Sequence, residues 1–586
     1  MKKILLSVFA FILFLSTTSR SANPDSYTYA VVISQSACSD AGWKAVADSL
    51  LKKHSINSSK LFTWKNSVSE VRESLAAFMP TYTGFIARPV TECNSAFVVS
   101  ASQLSRTLDT DPYGDTYWGV ITGFEAADAM RAISESLLVK TVILGSGGIN
   151  YEPPIERYYQ AIGLPCESYT KTDYMFPNTD SKVYSVEKRP DNQTDRVNIL
   201  AKWLNSESLN ISIDGKGTIS GPFDCLITGG HGNVNLWQMH YSDAGNEGYI
   251  GSSKGQLIGD PYSGSSITIN SPTPKIYWHV CNCLMATPDN INNWVYAAFH
   301  TGHAVQLFGF IPEASTGDEF MAWGMFDRTT KFAGRYTLPQ AHFISNNNAQ
   351  FELKHSTGLF NQAGVRAYMD STLVYGDPAA DVRFLSFGDS ARVYKDNFSF
   401  TTGSDGKTTF EYNVTAVAHD IEFGQGYCYQ LRPVLFMPVR IDPQTVSIVK
   451  NEGSTAEITD NLLLWEMLSK GETLKKGATK KLSWTAELLD KTAIKKIYHS
   501  EQKRMTLNCA VSGSGIIVIS ENIPDGKVTL SINDISGRLV LTKHSLSSGQ
   551  QFKTIVNQNF AAPGRYLITL KHESGSIQTS FTHKQK

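Results

Sequence analysis

From Tyr27 the chain reads YTYAVVIS, an apolar run without polar alternation, and then GWKAVADSLLKKH, in which Trp43, Val46, Ala47, Leu50 and Leu51 recur at helical spacing. A strand followed by a helix is predicted. The alternation continues through FIARP, SAFVVSAS, DTYWGVITG with the helix FEAADAMRAISESLL, KTVILGSGG, RVNILAKWLN, FDCLITGGHG, PKIYWHVCNC, the helix NWVYAAFHTG, and AVQLFGF. Short strands that do not alternate, separated by helices, predict an α/β fold with a mostly parallel sheet covered on both faces. Functional sites in such sheets lie at the C-terminal ends of the strands.

After about residue 385 the pattern changes. RVYKDNFSFTTGSDGKTTFEYNVTAVAHDIEF alternates apolar and polar positions around Gly- and Asp-containing turns, which predicts antiparallel β structure. The Lys-rich stretch LSKGETLKKGATKKLSW reads as a solvated face or loop. From GSGIIVISE onward the chain again reads as all-β, through VTLSINDISGRLVLTK and QFKTIVNQNFAAPGRYLITLKHESG. No period of 20 to 50 residues recurs, so a solenoid is not expected.

Composition sharpens the picture in three ways. The 586 residues exceed one ordinary core, and about 150 residues per domain predicts three or four domains. Hydrophobic residues at 41% and aromatics at 11% are the composition of folded material. A formal charge of -1 supplies no field for a polyphosphate, so no nucleic-acid partner is expected.

The N-terminus, Lys2 and Lys3 followed by the apolar run Ile4 to Leu15 and small polar residues, has the order of a secretory signal peptide, with cleavage expected between Ser19 and Ala22. The apolar run is shorter than the roughly 20 residues of a membrane-spanning helix, and no later stretch reaches that length. The mature chain is expected to be secreted or held on the outer cell surface. Its eight cysteines, at 38, 93, 166, 225, 281, 283, 428 and 509, are scattered, unlike a disulfide scaffold.

Two strand ends carry candidate chemistry. In DCLITGGHGNVN an apolar strand runs into Gly229, Gly230, His231 and Gly232. Glycines on both sides permit positive φ and close approach of a ligand, so the imidazole is presented; an exposed histidine in a plain turn is the alternative. In PKIYWHVCNCLMATPDN, Ile276 to Cys283 reads as a buried strand with Cys281 and Cys283 on one face. A disulfide between them is disfavoured by the short loop. Metal binding by His279, Cys281 and Cys283 lacks the paired spacing of structural zinc sites. The remaining reading makes Cys283, last on the strand, a nucleophile with His231 at a neighbouring strand end, because a thiolate needs a positioned imidazole more than a tightly bonded base. His240 is placed to line a cleft, and His300 and His303 flank Gly302 in a loop.

An apolar strand ending in His-Gly, followed by one ending in Cys, resembles the caspase-like cysteine peptidases, a group that includes gingipains, legumains and caspases. YAVVIS with its helix, LDTDPYGDTYWGVITGFEAADAMRAI, the helix leading to GHAVQLFGF, and LVYGDPAADVRF resemble the gingipain-like branch in order, over about residues 27 to 385. The resemblance implies a caspase-like α/β/α sandwich, a secreted endopeptidase acting on proteins or peptides, and no required cofactor. It implies His231 as catalytic histidine, Cys283 as nucleophile with Cys281 as the fallback, and backbone N–H groups of Gly232 and Cys283 as the oxyanion hole. Asn282 departs from the Ala or Gly usual before the nucleophile. Glu125 resembles the position of an acid that orients the histidine in gingipains; a Glu favoured by a helix dipole is the alternative reading.

VTLSINDISGRLVLT and FAAPGRYLITLKHESG resemble the sorting domain of type IX secretion substrates, which implies the type IX machinery as a partner. The domains expected are a signal peptide at 1–22, a catalytic domain at 23–385, a β-sandwich-like domain at 386–500 and a sorting domain at 505–586. The acidic loop at Asp109, Asp111 and Asp115 reads as a solvated turn, with structural calcium on its carboxylate oxygens as the alternative. The rival class is a non-catalytic adhesin or glycan-binding protein on a peptidase-derived scaffold.

Overall fold

The computed structural model describes residues 27–55, 58–147, 155–165, 171–177, 182–187, 195–239, 248–280, 282–314, 319–332, 334–355, 369–385, 392–423, 432–489 and, with short interruptions, 506–583. The expected signal peptide, Cys166, Cys281, Cys428 and His240 lie outside the described residues. The chain divides into two compact units, Met1–Leu489 and Asp490–Lys586.

In the first unit twelve strands form one sheet. They are β1 (Tyr29–Ser34), β2 (Ser59–Trp64), β3 (Tyr82–Ile86), β4 (Tyr117–Ile121), β5 (Thr141–Gly147), β6 (Gln160–Leu164), β7 (Thr172–Met175), β8 (Val183–Val186), β9 (Cys225–Gly230), β10 (Lys275–His279), β11 (Ala304–Phe310) and β12 (Thr372–Tyr375). Their spatial order is β2-β1-β3-β4-β12-β11-β10-β9-β5-β6-β7-β8. SAFVVSAS is a helix, Ser95–Leu104, capped by the Asn94 side chain and buried on the face of Phe97, Val98, Ala101 and Leu104.

The expectation of a mostly parallel sheet holds within two blocks and fails between them. β2, β1, β3, β4 and β12 run parallel to one another, and so do β11, β10, β9, β5 and β6. β11 and β12 pair antiparallel, so the blocks point in opposite directions. Strand C-termini of the two blocks therefore open at opposite edges of the sheet.

Helices cover both faces. α1 (Arg196–Leu204) and α2 (Trp294–His300) pack Val197, Leu200 and Trp294 in one core with Leu226 and Tyr277. α3 (Glu319–Thr330) and α4 (Leu338–His355) place Met325, Phe326 and Leu338 in the other core with Ile227 and Trp278. Neighbouring residues of β9 and β10 thus feed opposite cores, which is why those strands read as unbroken apolar runs.

Residues 392–489 belong to the same compact unit. The predicted hairpin is present as Tyr394–Thr402 against Thr408–Ala416, antiparallel. The Lys-rich stretch is not all solvated: it enters the strand Thr479–Ala486, which lies inside a four-stranded sheet and buries Trp484 against Phe410 with ring centroids 5.1 Å apart. Buried cations bind this layer to the helices. Arg432 pairs with Glu352 of α4 and with Glu466, Arg328 of α3 donates to Tyr394 Oη at 2.9 Å, and Arg335 donates to Asp396 at 2.7 Å.

A buried acid ties β1 to the end of β12. Asp377 accepts from Tyr29 Oη at 2.9 Å and Lys53 Nζ at 2.8 Å, with His54 Nε2 at 3.2 Å. Burial alone would raise its carboxyl pKa, but the Lys53 ammonium and His54 outweigh burial and hold it well below the ordinary 3.8. Asp377→Asn is expected to cost about 1–3 kcal/mol at pH 7, read as a lower urea midpoint. A depressed carboxylate stabilises above its unfolded pKa and loses that stabilisation as pH falls through its folded value. The gap between the midpoints of wild type and variant should therefore begin to narrow below about pH 4 and close as pH falls further.

The second unit contains two antiparallel sheets. One orders Thr506–Ser512, Gly515–Glu521 and Gln551–Asn557; the other orders Leu539–Ser547, Gly526–Asp534, Gly564–His572 and Gly575–His583. Val528, Leu530, Ile532, Ile568 and Leu570 are its buried face, on alternate positions as the sequence pattern requires.

Candidate active site

β9 and β10 pair in parallel with Thr228 opposite His279, and Val280 N continues the ladder to Thr228 O at 2.8 Å. Both strands end at the same edge, so the turn that contains His231 and the turn that contains Cys283 lie at that edge. The connection between them is a five-stranded antiparallel sheet spanning Gly232–Ile269, where a crossover helix is the common solution. Its Trp237 indole donates to Gly229 O at 3.0 Å and pins the strand end.

Glycine is needed here for two different reasons. Gly230 has φ +97, a conformation side chains rarely adopt. Gly232 is held by proximity: a Cβ there would stand 2.9 Å from Cys283 O and 2.8 Å from Met285 Cγ. That contact brings the His-Gly turn against the cysteine turn. His231 is exposed, its carbonyl accepts from Gln238 N at 3.1 Å, and no carboxylate among the described residues hydrogen-bonds its ring. Cys283 is a free, half-buried thiol with Sγ 3.5 Å from Ala314 O.

The strand is shorter than expected. β10 ends at His279, and Cys283 lies in a turn that includes Leu284 at φ +60 and closes with Thr287 N bonded to Leu284 O at 2.9 Å. The expected strand through Cys283 is therefore corrected, and the relation of Cys283 to Cys281 lies outside the described residues.

The residue between the cysteines organises the edge. Asn282 is fully buried; its Nδ2 donates to Gly230 O at 2.9 Å and its Oδ1 accepts from Thr228 Oγ1 at 2.7 Å. One amide thus ties the His231 turn to the Cys283 turn. Thr228 Oγ1 spends its proton on Asn282, so at 2.8 Å it accepts from His279 Nδ1, which sets the Nδ1–H tautomer. His279 Nε2 is then a bare, buried acceptor without a donor among the described residues, and burial pushes the ring pKa down to about 3. His279 is a neutral core histidine edge-on to Trp294, with ring centroids 5.0 Å apart. Neither Asn282 nor Thr228 was singled out as a tie by the sequence; the available signal was a polar residue in an otherwise apolar strand end.

Glu125 is placed elsewhere. It follows β4, in the block that runs opposite to β9 and β10, and so sits at the other edge of the sheet from His231. There it is the N-cap of the helix Ala126–Ser134, with its N–H bonded to Asp128 at 3.0 Å, and Asp128 meets His300 Nδ1 at 3.0 Å. The expected role as orienter of His231 is corrected by strand direction: the motif was local, the reversal was not. His303 is likewise structural, between Glu135 at 3.0 Å and Ser271 O at 3.1 Å.

Comparison with known proteins identifies the tail. Residues 513–584 match the family model of the secretion system C-terminal sorting domain. The chain therefore carries a type IX sorting domain, which implies export to the outer surface or secretion; among the described residues no helix is long and apolar enough to cross a membrane. No curated protein matches the chain. Among solved structures, the complex of Porphyromonas gingivalis RgpB pro- and mature domains is similar over 95% of this chain and 100% of that chain, at 9% identity and a TM-score of 0.38. A β-glucuronidase from Ruminococcus gnavus is similar over 31% of this chain and 36% of that chain, at 13% identity and a TM-score of 0.12. At those scores neither similarity carries an inference about activity.

Proposed function

We propose that this chain is an exported cysteine endopeptidase. Cys283 Sγ attacks the peptide carbonyl to form a thioester, His231 delivers the proton to the leaving amine, and water then releases the acyl group and restores the thiol. Backbone N–H groups of Gly232 and Cys283 are assigned to the tetrahedral oxygen, where fixed donors lower the barrier most. The dyad needs no carboxylate partner, consistent with the remote position of Glu125, because a thiol ionises far more readily than a hydroxyl. The block β5, β9, β10 and β11 with its covering helices is the caspase-like part of this reading.

The observation that carries it is the in-register parallel pairing of β9 with β10, which sets Gly232 against Cys283 at one sheet edge. The sequence resemblance to gingipain-like peptidases and the sorting tail point the same way. The test is a peptide-library cleavage profile of the purified chain, with and without a thiol-directed peptidyl inhibitor. Cleavage that the inhibitor abolishes, with the label on the dyad thiol, is expected. A chain that cleaves nothing and takes no label is a non-catalytic surface protein, and the peptidase reading fails.

A further inference from the structure

The imidazole of His231 is exposed and no carboxylate among the described residues hydrogen-bonds it, so the direction of the ring is set by the backbone that carries it. That backbone is the short turn from Gly229 to Gly232, whose glycines supply no side-chain packing of their own. Its position must come from residues outside the turn.

Trp237 meets the turn on both sides of the histidine. Its backbone pairs with Gly232 in an antiparallel ladder, and the next residue, Gln238, donates its N–H to His231 O at 3.1 Å. Its indole Nε1 reaches back to donate to Gly229 O at 3.0 Å. One residue thus holds the chain before His231 through its side chain and after it through its main chain. The indole is fully buried, where an N–H without an acceptor is costly, so the ring is fixed in the orientation that reaches Gly229. β5 makes room for it: a Cβ on Gly145 would stand 2.5 Å from Trp237 Cη2 and 3.0 Å from Cζ2. Gly145 lies opposite Thr228, so this notch is next to Gly229 in the ladder.

We propose that Trp237 is a positioning residue for catalysis, which fixes the His231 backbone, and through it the imidazole, relative to Cys283. The inference rests on the dyad reading above. Asn282 holds Gly230 O and joins the histidine turn to the cysteine turn; Trp237 joins the same turn to the end of β9 and to the hairpin that follows it. Release of either tie frees a different side of the turn. A displacement of a catalytic group by about 1 Å is enough to cost on the order of 10²-fold in rate.

The test compares wild type, Trp237→Phe and Gly145→Ala as full chains. Phenylalanine removes the indole N–H and keeps an aromatic ring in the core; alanine at Gly145 pushes the indole aside and leaves every residue of the turn in place. Both should lower kcat about 10- to 100-fold with KM changed by less than about twofold. A second readout needs no substrate: the rate at which iodoacetamide alkylates Cys283, located by peptide mass, from about pH 5 to 9. An imidazole placed beside a thiol sustains thiolate reactivity toward acid pH, so His231→Ala should lose the acid side of the profile, and Trp237→Phe and Gly145→Ala should approach it. Trp465→Phe is the control: it removes an equally buried indole and its bond to Asn451 Oδ1 at 2.9 Å in the β layer, and should leave kcat and the alkylation profile unchanged. Wild-type kcat and profile in folded Trp237→Phe overturn the proposal, as does a loss no larger than that of Trp465→Phe. Gly145→Ala decides the matter if Trp237→Phe does not fold. A wild type that cleaves nothing overturns the dyad reading and this inference together; a wild type that cleaves, with Trp237→Phe its equal, overturns this inference alone.

Discussion

Alanine at Cys283 is expected to remove peptide-bond cleavage, with a fall in kcat/KM on the order of 10⁴ or more, while alanine at Cys281 leaves most of it. The size of the effect follows from the chemistry: without the thiol no acyl-enzyme forms, and only binding and the oxyanion donors remain. The fold should tolerate the change. The Cys283 thiol is half-buried and its polar contact is with Ala314 O at 3.5 Å, so thermal stability should move by less than about 1 kcal/mol. His231→Ala should produce a comparable loss, and combining it with Cys283→Ala should add little, because the two act as one unit. Loss of activity confined to Cys281→Ala would transfer the nucleophile to that residue.

The second large effect is expected at Asn282. Its amide joins Gly230 O to Thr228 Oγ1, and with alanine the Gly230 carbonyl loses this donor and the buried Thr228 hydroxyl proton loses its acceptor, at about 1–3 kcal/mol each. A fall in stability of about 2–4 kcal/mol should follow, read by urea unfolding. The kinetic signature distinguishes a tie between the two turns from general packing. If Asn282 aligns His231 with Cys283, kcat should fall about 10²-fold with KM nearly unchanged, since misplacement of a catalytic group by about 1 Å has that effect. Asn282→Asp retains the acceptor for Thr228, loses the donor to Gly230 and buries a charge, so it should not restore kcat. Full kcat in a folded Asn282→Ala protein would show that the turns hold their positions without this amide.

Asn282 also explains where the sequence stopped being informative. It was visible as a departure from the small residue usual before the nucleophile, but its purpose depends on Gly230 and Thr228, which reach it only through the pairing of β9 with β10. Glu125 shows the converse. Its local pattern, an acid capping a helix after an apolar strand, is the same whether the strand runs with β9 or against it, and the antiparallel pair of β11 and β12 decides that it runs against.

The amino-acid sequence by itself determined what short-range chemistry controls. The apolar runs of β1, β9 and β10, the helical spacing that follows β1, the Gly-Gly-His-Gly turn, the hairpin at 394–416 and the sorting tail were all legible, because each depends on side-chain periodicity or φ preference within a few residues. Tertiary structure alone decided strand direction across the sheet, the early end of β10 and the amide tie at the two turns. These are set by hydrogen bonds and buried charges between segments far apart in the chain, where no local pattern records the partner.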